Sequence, residues 1–299
     1  LNERDQIAMR GVTGAVKRLL FLVTIGFFGL FGGWQATHAE NDPVMVVIAP
    51  DVLVDYELFQ RGYGLSGGTP AFEMPRRDVL EVVVLTRALR AGGVTSPIDF
   101  VVSASLERHV ALLKSGRVAL TAAMINLADL DSEVGVVREI DFDAGGGSQI
   151  VGLYASPENK TATSASTLED VAKLSAVSSK AWRADWRALE AAKLRDVVSV
   201  SDWLTMCRIV AGQRVDFLIA PFRADGSDAI ETMAGTLVLM KGFGLVLSSE
   251  RRFVVSKSHA RQAELAEALK RGFEALQKDD PWMRHLRAAS KSPVTKDGL

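Results

Sequence analysis

From Val44 onward the chain alternates short β-branched runs with longer segments whose apolar residues recur every three or four positions. This order is restrictive. Strands alternating with amphipathic helices pack as α/β layers with largely parallel sheets. The runs that read as strands are Val44 to Ala49, Ile98 to Ser103, Val118 to Met124, Ile150 to Ala155, Leu174 to Val177, Val215 to Ala220 and Phe253 to Ser256. Helical faces lie between them: Leu106, Val110 and Leu113; Trp182, Trp186 and Leu189; Leu265, Leu269, Phe273 and Leu276. Pro75 marks a further helix start before Arg76 to Leu89. No internal repeat appears at solenoid periods.

Two glycine-rich stretches interrupt this rhythm. Asp143 to Ser148 reads as a crossing between two halves of the chain, and a second crossing is expected near Ser248 to Arg252. Gly62 to Pro70 reads as a loop. Its first six residues spell G-x-G-x-x-G, but Thr69, Pro70 and Pro75 follow where a dinucleotide fingerprint needs a helix opening directly after a strand. A plain glycine loop is the expectation.

The N-terminus carries an address. Lys17 and Arg18 precede the apolar run Leu19 to Phe31, and Thr37 and Ala39 supply small residues for a peptidase. A signal peptide over residues 1–39, cleaved after Ala39, is expected to send the protein to a periplasm. A spanning anchor needs about 20 apolar residues, and this run is shorter and broken by Gly26 and Gly29. Met9 would open a signal of ordinary length, so translation is expected to start at Leu1 or Met9.

Removing 39 of the 299 residues takes away four basic and two acidic side chains from a chain of net charge −1, leaving about −3 on 260 residues. That balance offers nucleic acid no electrostatic reason to bind. Cys207 is the one cysteine and cannot form an internal disulfide, so the fold must rest on its core.

Catalytic constellations are missing from the pattern. His109, His259 and His285 are far apart, without the spacing of metal ligands. Cys207 lies in an apolar helical stretch and reads as a buried thiol. No catalytic residue, metal or cofactor is expected. At Ser178 and Ser179, where a strand gives way to a helix, either serine is an N-cap or the free backbone N–H groups receive an anionic or polar group.

In order and spacing these segments resemble the periplasmic solute-binding proteins of the family 3 type, which serve ABC importers. Leu113 to Leu120 is similar to the family's L-x-x-G-x-x-D-L step, with Ala119 at the acidic position. Ile140 to Phe142 followed by Gly152 to Tyr154 resembles the crossing into the second lobe; Thr167 to Val171 resembles T-L-x-D-L, and Ala211 to Phe217 resembles A-G-R-x-D-A. Phe253 to Ser258 resembles the return strand.

The resemblance implies a type II periplasmic-binding-protein-like fold: two α/β lobes joined by two hinge strands, closing over a ligand. The first lobe would comprise residues 40–147 and 248–299, the second residues 148–247. Ligands bind outside the carboxyl ends of strands in open α/β sheets. The implied binding residues are Asp51, Tyr56, Met124 and Asn126 from the first lobe, and Ser178, Ser179, Trp182, Pro221 and Phe222 from the second. For Asp51 the alternative is a solvated turn carboxylate.

Two departures bear on the ligand. Amino-acid binders of this family clamp the α-carboxylate with an arginine after the third strand and hold the ammonium with an acid in the second lobe. Here Leu127 to Val137 offers only Asp129, Asp131 and Glu133, and Pro221 occupies the second position. The expected activity is capture of a small polar solute, not a standard α-amino acid, by a monomer that passes it to a membrane permease. Alternatives are a sensory module that signals to a membrane protein and an exported dehydratase-like enzyme.

Overall fold

A computed structural model describes residues 42–65, 75–130, 137–140, 147–223, 226–276 and 280–290. The expected signal peptide, its cleavage site and the centre of the first crossing lie outside these residues. Val44–Val94 and the described chain from Ile98 onward form one compact unit; Asp42, Pro43 and Thr95–Pro97 fall outside it. No described helix is long and apolar enough to cross a membrane.

The first sheet begins with β1 (Val44–Ile48), followed by α1 (Pro50–Leu65), α2 (Arg77–Ala91), β2 (Ile98–Val102), α3 (Leu106–Lys114), β3 (Leu120–Thr121), β4 (Ile125–Asn126) and β5 (Val137–Ile140). A single 3₁₀ turn, Leu127–Asp129, follows β4. The second sheet starts at β6 (Gly147–Ala155) and continues through α4 (Lys160–Thr163), α5 (Leu168–Ala172), β7 (Ser175–Ser178), α6 (Arg183–Ala191), β8 (Asp196–Ser199), α7 (Trp203–Ala211), β9 (Phe217–Pro221), β10 (Ala229–Thr232) and β11 (Gly235–Ser249). The chain then returns to the first sheet as β12 (Arg251–Ser256) and ends its described part in α8 (Gln262–Leu276) and α9 (Pro281–Ser290).

The sheets are mixed, not largely parallel as the rhythm suggested. In the first, β1 is parallel to β2 and β3, while β12 runs antiparallel to β3, β4 and β5. In the second, β7 is parallel to β8 and β9, but β6 is antiparallel to both β9 and β11, and β10 and β11 form a hairpin. The hairpin escaped the sequence because its strands break the apolar alternation: Lys241 and Gly242, with φ of +85°, sit where the register shifts between Leu239 and Gly244. The expected strand Val118 to Met124 shrinks to Leu120–Thr121: the Ala122 N–H still bonds the Val47 carbonyl of β1, but the Met124 N–H turns to the Glu81 carboxylate.

The expected loop from Gly62 to Pro70 is corrected over its first four residues, and residues 66–70 lie outside the described ones. Helix α1 runs on through Gly62 to Leu65. Val52, Tyr56 and Phe59 anchor its inner face to the core, and such burial outweighs the roughly 1 kcal/mol a helical glycine costs. Tyr56 packs edge-on against Phe100, 5.7 Å between centroids.

Helix α2 is buried on nearly every side, because α8 and α9 cover the face that the sheet does not. The crossing with α8 depends on two glycines. A Cβ on Gly92 would lie 1.9 Å from the carbonyl oxygen of Ala268, and one on Gly272 would lie 1.9 Å from that of Ala88. In the second half, Leu189 of α6 and Phe217 of β9 are buried in one apolar cluster, while Met206, Cys207 and Val210 of α7 are buried in another.

Candidate functional site

Segments that follow strands of the two sheets approach each other at one point. Pro50 and Asp51 follow β1, Ser103 follows β2, and the 3₁₀ turn follows β4; on the other side, Ser178 to Trp182 join β7 to α6, and Pro221 ends β9. A hydrogen bond joins the two sets: the Ala184 N–H of α6 donates to Asp129 Oδ1 at 3.3 Å. The Arg183 N–H contributes as well.

Around that contact lies a group of ionised side chains. Glu81, fully buried on α2, accepts from one guanidinium nitrogen of Arg251 at 2.9 and 3.1 Å and from the Met124 N–H at 2.9 Å. The same Arg251 nitrogen donates to the Met124 carbonyl at 2.7 Å. Arg77 Nε lies 3.4 Å from Glu81 Oε1. Burial, and then the nearby charge of Arg251, lower the Arg77 pKa to about 10.

A second knot surrounds Arg76, which pairs with Asp51, with Asp78 at 2.8 Å and with Asp55 at 3.3 Å. Burial opposes its charge, but these three carboxylates outweigh burial and hold the guanidinium above its ordinary pKa. Burial raises the pKa of Asp55, against the pull of Arg76.

Asp129 and Asp185 are the least compensated acids here. Burial pushes Asp129 to about 6 against the hydrogen bonds from α6, and it pushes Asp185 to about 7 with further help from the negative charge of Asp129. The Cys207 thiol, fully buried on α7, is driven up to about 12 by burial and by Asp51. Among the described residues, the buried hydroxyls of Ser103, Thr121 and Ser178 have no hydrogen-bond partner.

The residues singled out from the sequence separate into groups. Asp51 belongs to the Arg76 knot, though from the first turn of α1, not from a strand end. Met124 enters the Glu81 group through its backbone while its side chain joins the core. Asn126 caps the 3₁₀ turn, accepting from the Ala128 N–H at 3.1 Å. Ser178 ends β7, and Ser179 accepts from the Ala181 N–H at 3.2 Å. Neither serine caps α6, as had been one expectation; the N-cap is Trp182, whose indole has no acceptor to offer and packs against the α7 cluster. Tyr56 points into the core of the first half. Pro221 closes β9 and accepts from the Tyr154 hydroxyl at 3.4 Å, and Phe222 packs over Gly152.

Sequence reasoning missed Arg76, Arg77, Glu81, Asp185 and Arg251. One signal was present: two arginines at the N-terminal end of a helix oppose its dipole, and so require nearby acids. Among the described residues no group of three or more His, Cys, Asp or Glu could hold a metal ion.

This architecture is a type II periplasmic-binding-protein-like fold. The periplasmic VFT2 domain of BvgS from Bordetella pertussis superposes with a TM-score of 0.53 at 12% identity, covering 85% of this chain and 95% of that one. An amino acid ABC transporter substrate-binding protein from Streptococcus pneumoniae, bound to L-arginine, gives 0.49 at 14% identity over 83% and 97%. An ancestral amino acid-binding protein, a precursor of cyclohexadienyl dehydratase, gives 0.49 at 14% identity over 71% and 84%. No protein-family model and no curated protein matches the chain.

Proposed function

We propose that this is an exported binding protein that captures a small polar solute between two lobes and delivers it to a membrane permease. The lobes are residues 40–147 with 248–299, and residues 148–247. The observation that carries the reading is the meeting of strand carboxyl ends from two separate sheets across the Asp129–Ala184 hydrogen bond, since this is where open α/β sheets bind ligands.

Orphaned hydroxyls at Ser103, Thr121 and Ser178, at or beside strand ends, support a polar solute over an apolar one. The arginines nearby do not favour an α-amino acid. Arg76, Arg77 and Arg251 are already engaged by Asp51, Asp78 and Glu81, so none of these three stands ready to clamp a free carboxylate.

One observation favours an enzyme as the second reading. Asp129 and Asp185, with pKa values lifted to about 6 and about 7, are suited to general acid and base work near neutral pH. A thermal-shift screen against polar metabolites tests the first reading: a solute that binds only the folded state raises Tm. A shift with a standard α-amino acid would overturn the ligand assignment. Consumption of the solute that binds, abolished in Asp185→Asn, would replace capture by catalysis.

A further inference from the structure

We propose that Asp129 and Asp185 form a proton-sensitive latch between the two lobes, holding them together at acidic pH and releasing them as pH rises. This rests on the two-lobe reading above but needs no solute to operate.

The geometry starts at the N-terminus of α6. Helices α3, α5 and α7 are capped locally by Ser105, Thr167 and Asp202. Helix α6 has Trp182 at that position and no side-chain cap of its own. Its free N–H groups are served instead from the other sheet, by Asp129 through the 3.3 Å bond to Ala184 and a further bond from Arg183. A helix cap supplied by another part of the fold lasts only while the two parts touch.

The same turn of α6 carries Asp185, near enough to Asp129 for the charge of one to raise the proton affinity of the other. Like charges held close together in a half-buried setting resist double ionisation. Other charged groups around the pair do not cancel this. Helix α2 presents Arg77 and Glu81, with Arg76 and Asp78 held in the neighbouring knot, and β12 presents Arg251, which Glu81 engages. Arg252 pairs with Glu250, and Lys241 of β11 with Asp228. Arg183 stands on α6 itself. Strand β7 carries no charge.

The closed arrangement therefore holds a proton that the open one, with both acids in water, gives up. An acid whose pKa is about 7 when closed and near the ordinary 3.8 when solvated opposes closure increasingly as pH rises between those values. Below that window both forms are protonated and closure carries no such cost.

The test is small-angle X-ray scattering of the solute-free mature chain at about pH 5 and about pH 8, a span over which most of the opposition to closure builds up. The radius of gyration of a compact chain of this size is roughly 18 Å, and opening should add on the order of 1 Å at the higher pH. Asp185→Asn should stay compact at both, because the repulsion is gone while the cap remains. Asp129→Ala, which removes the cap, should be expanded at both. A wild-type radius that does not change with pH would overturn the latch, and so would a rise that persists undiminished in Asp185→Asn. Circular dichroism establishes that each variant is folded; if Asp129→Ala does not fold, Asp185→Asn decides. Because no solute is present, a constant radius sinks the latch and leaves capture standing, whereas an inactive solute screen sinks capture and leaves the latch standing.

Discussion

One guanidinium nitrogen of Arg251 bonds both carboxylate oxygens of Glu81, at 2.9 and 3.1 Å, although 170 positions separate the two residues. The pair ties β12, the returning strand, to α2. Glu81 is fully buried and also serves Arg77 and the Met124 N–H, so its removal leaves two cations and a backbone donor uncompensated. Glu81→Ala is expected to lower stability by about 3–5 kcal/mol, the usual cost of stranding a buried charge. Urea unfolding followed by tryptophan fluorescence measures it. A loss below about 1 kcal/mol would mean that the group is far better solvated than it looks.

The contact between α2 and α8 makes a sharper steric prediction. Gly272→Ala would place a methyl 1.9 Å from a carbonyl oxygen that belongs to a helix backbone and cannot swing aside. The helices must move apart, at a cost of about 1–3 kcal/mol or more. Gly93→Ala offers a contrast, since its added Cβ meets nothing within 4 Å but must adopt φ of +95°. There the loss comes from backbone strain alone, on the order of 1 kcal/mol. Paired melting curves should rank Gly272→Ala as the more damaging.

Stability should also depend on pH through Asp185. Its pKa is raised by folding from 3.8 to about 7, so the folded state binds more protons than the unfolded state in between. Stability on this account falls as pH rises through that window and is flat below it. Asp185→Asn should therefore raise the melting temperature above pH 7, by stability on the order of 1 kcal/mol, and leave it unchanged near pH 4. A variant that is destabilised at high pH would show that the carboxylate is better paired than its surroundings indicate.

Cys207 provides a probe of the second half. The thiol is fully buried and its pKa stands at about 12, so thiolate is scarce at neutral pH. Labelling by a maleimide should be negligible in the native protein and complete in denaturant. Rapid native labelling would mean that α7 lifts from its sheet well below the global unfolding free energy.

The α/β class and the central strands Val44 to Ile48 and Phe217 to Ala220 were legible because a strand buried on both faces must be a continuous apolar run. Leu265, Leu269 and Phe273 likewise announced the buried face of α8. Such patterns are local. They record which side of an element meets water, whatever it packs against.

The tertiary structure decided what no local pattern records. Only the fold could show that α1 continues through Gly62, since the apolar partners of Tyr56 and Phe59 lie elsewhere in the chain. Only the fold could turn Arg251 and Glu81, or Asp129 and the start of α6, into partners. Charged residues look alike in sequence whether solvated or paired. Their chemistry depends on distance, burial and neighbouring charge, all of which arise when segments more than 50 residues apart are brought together.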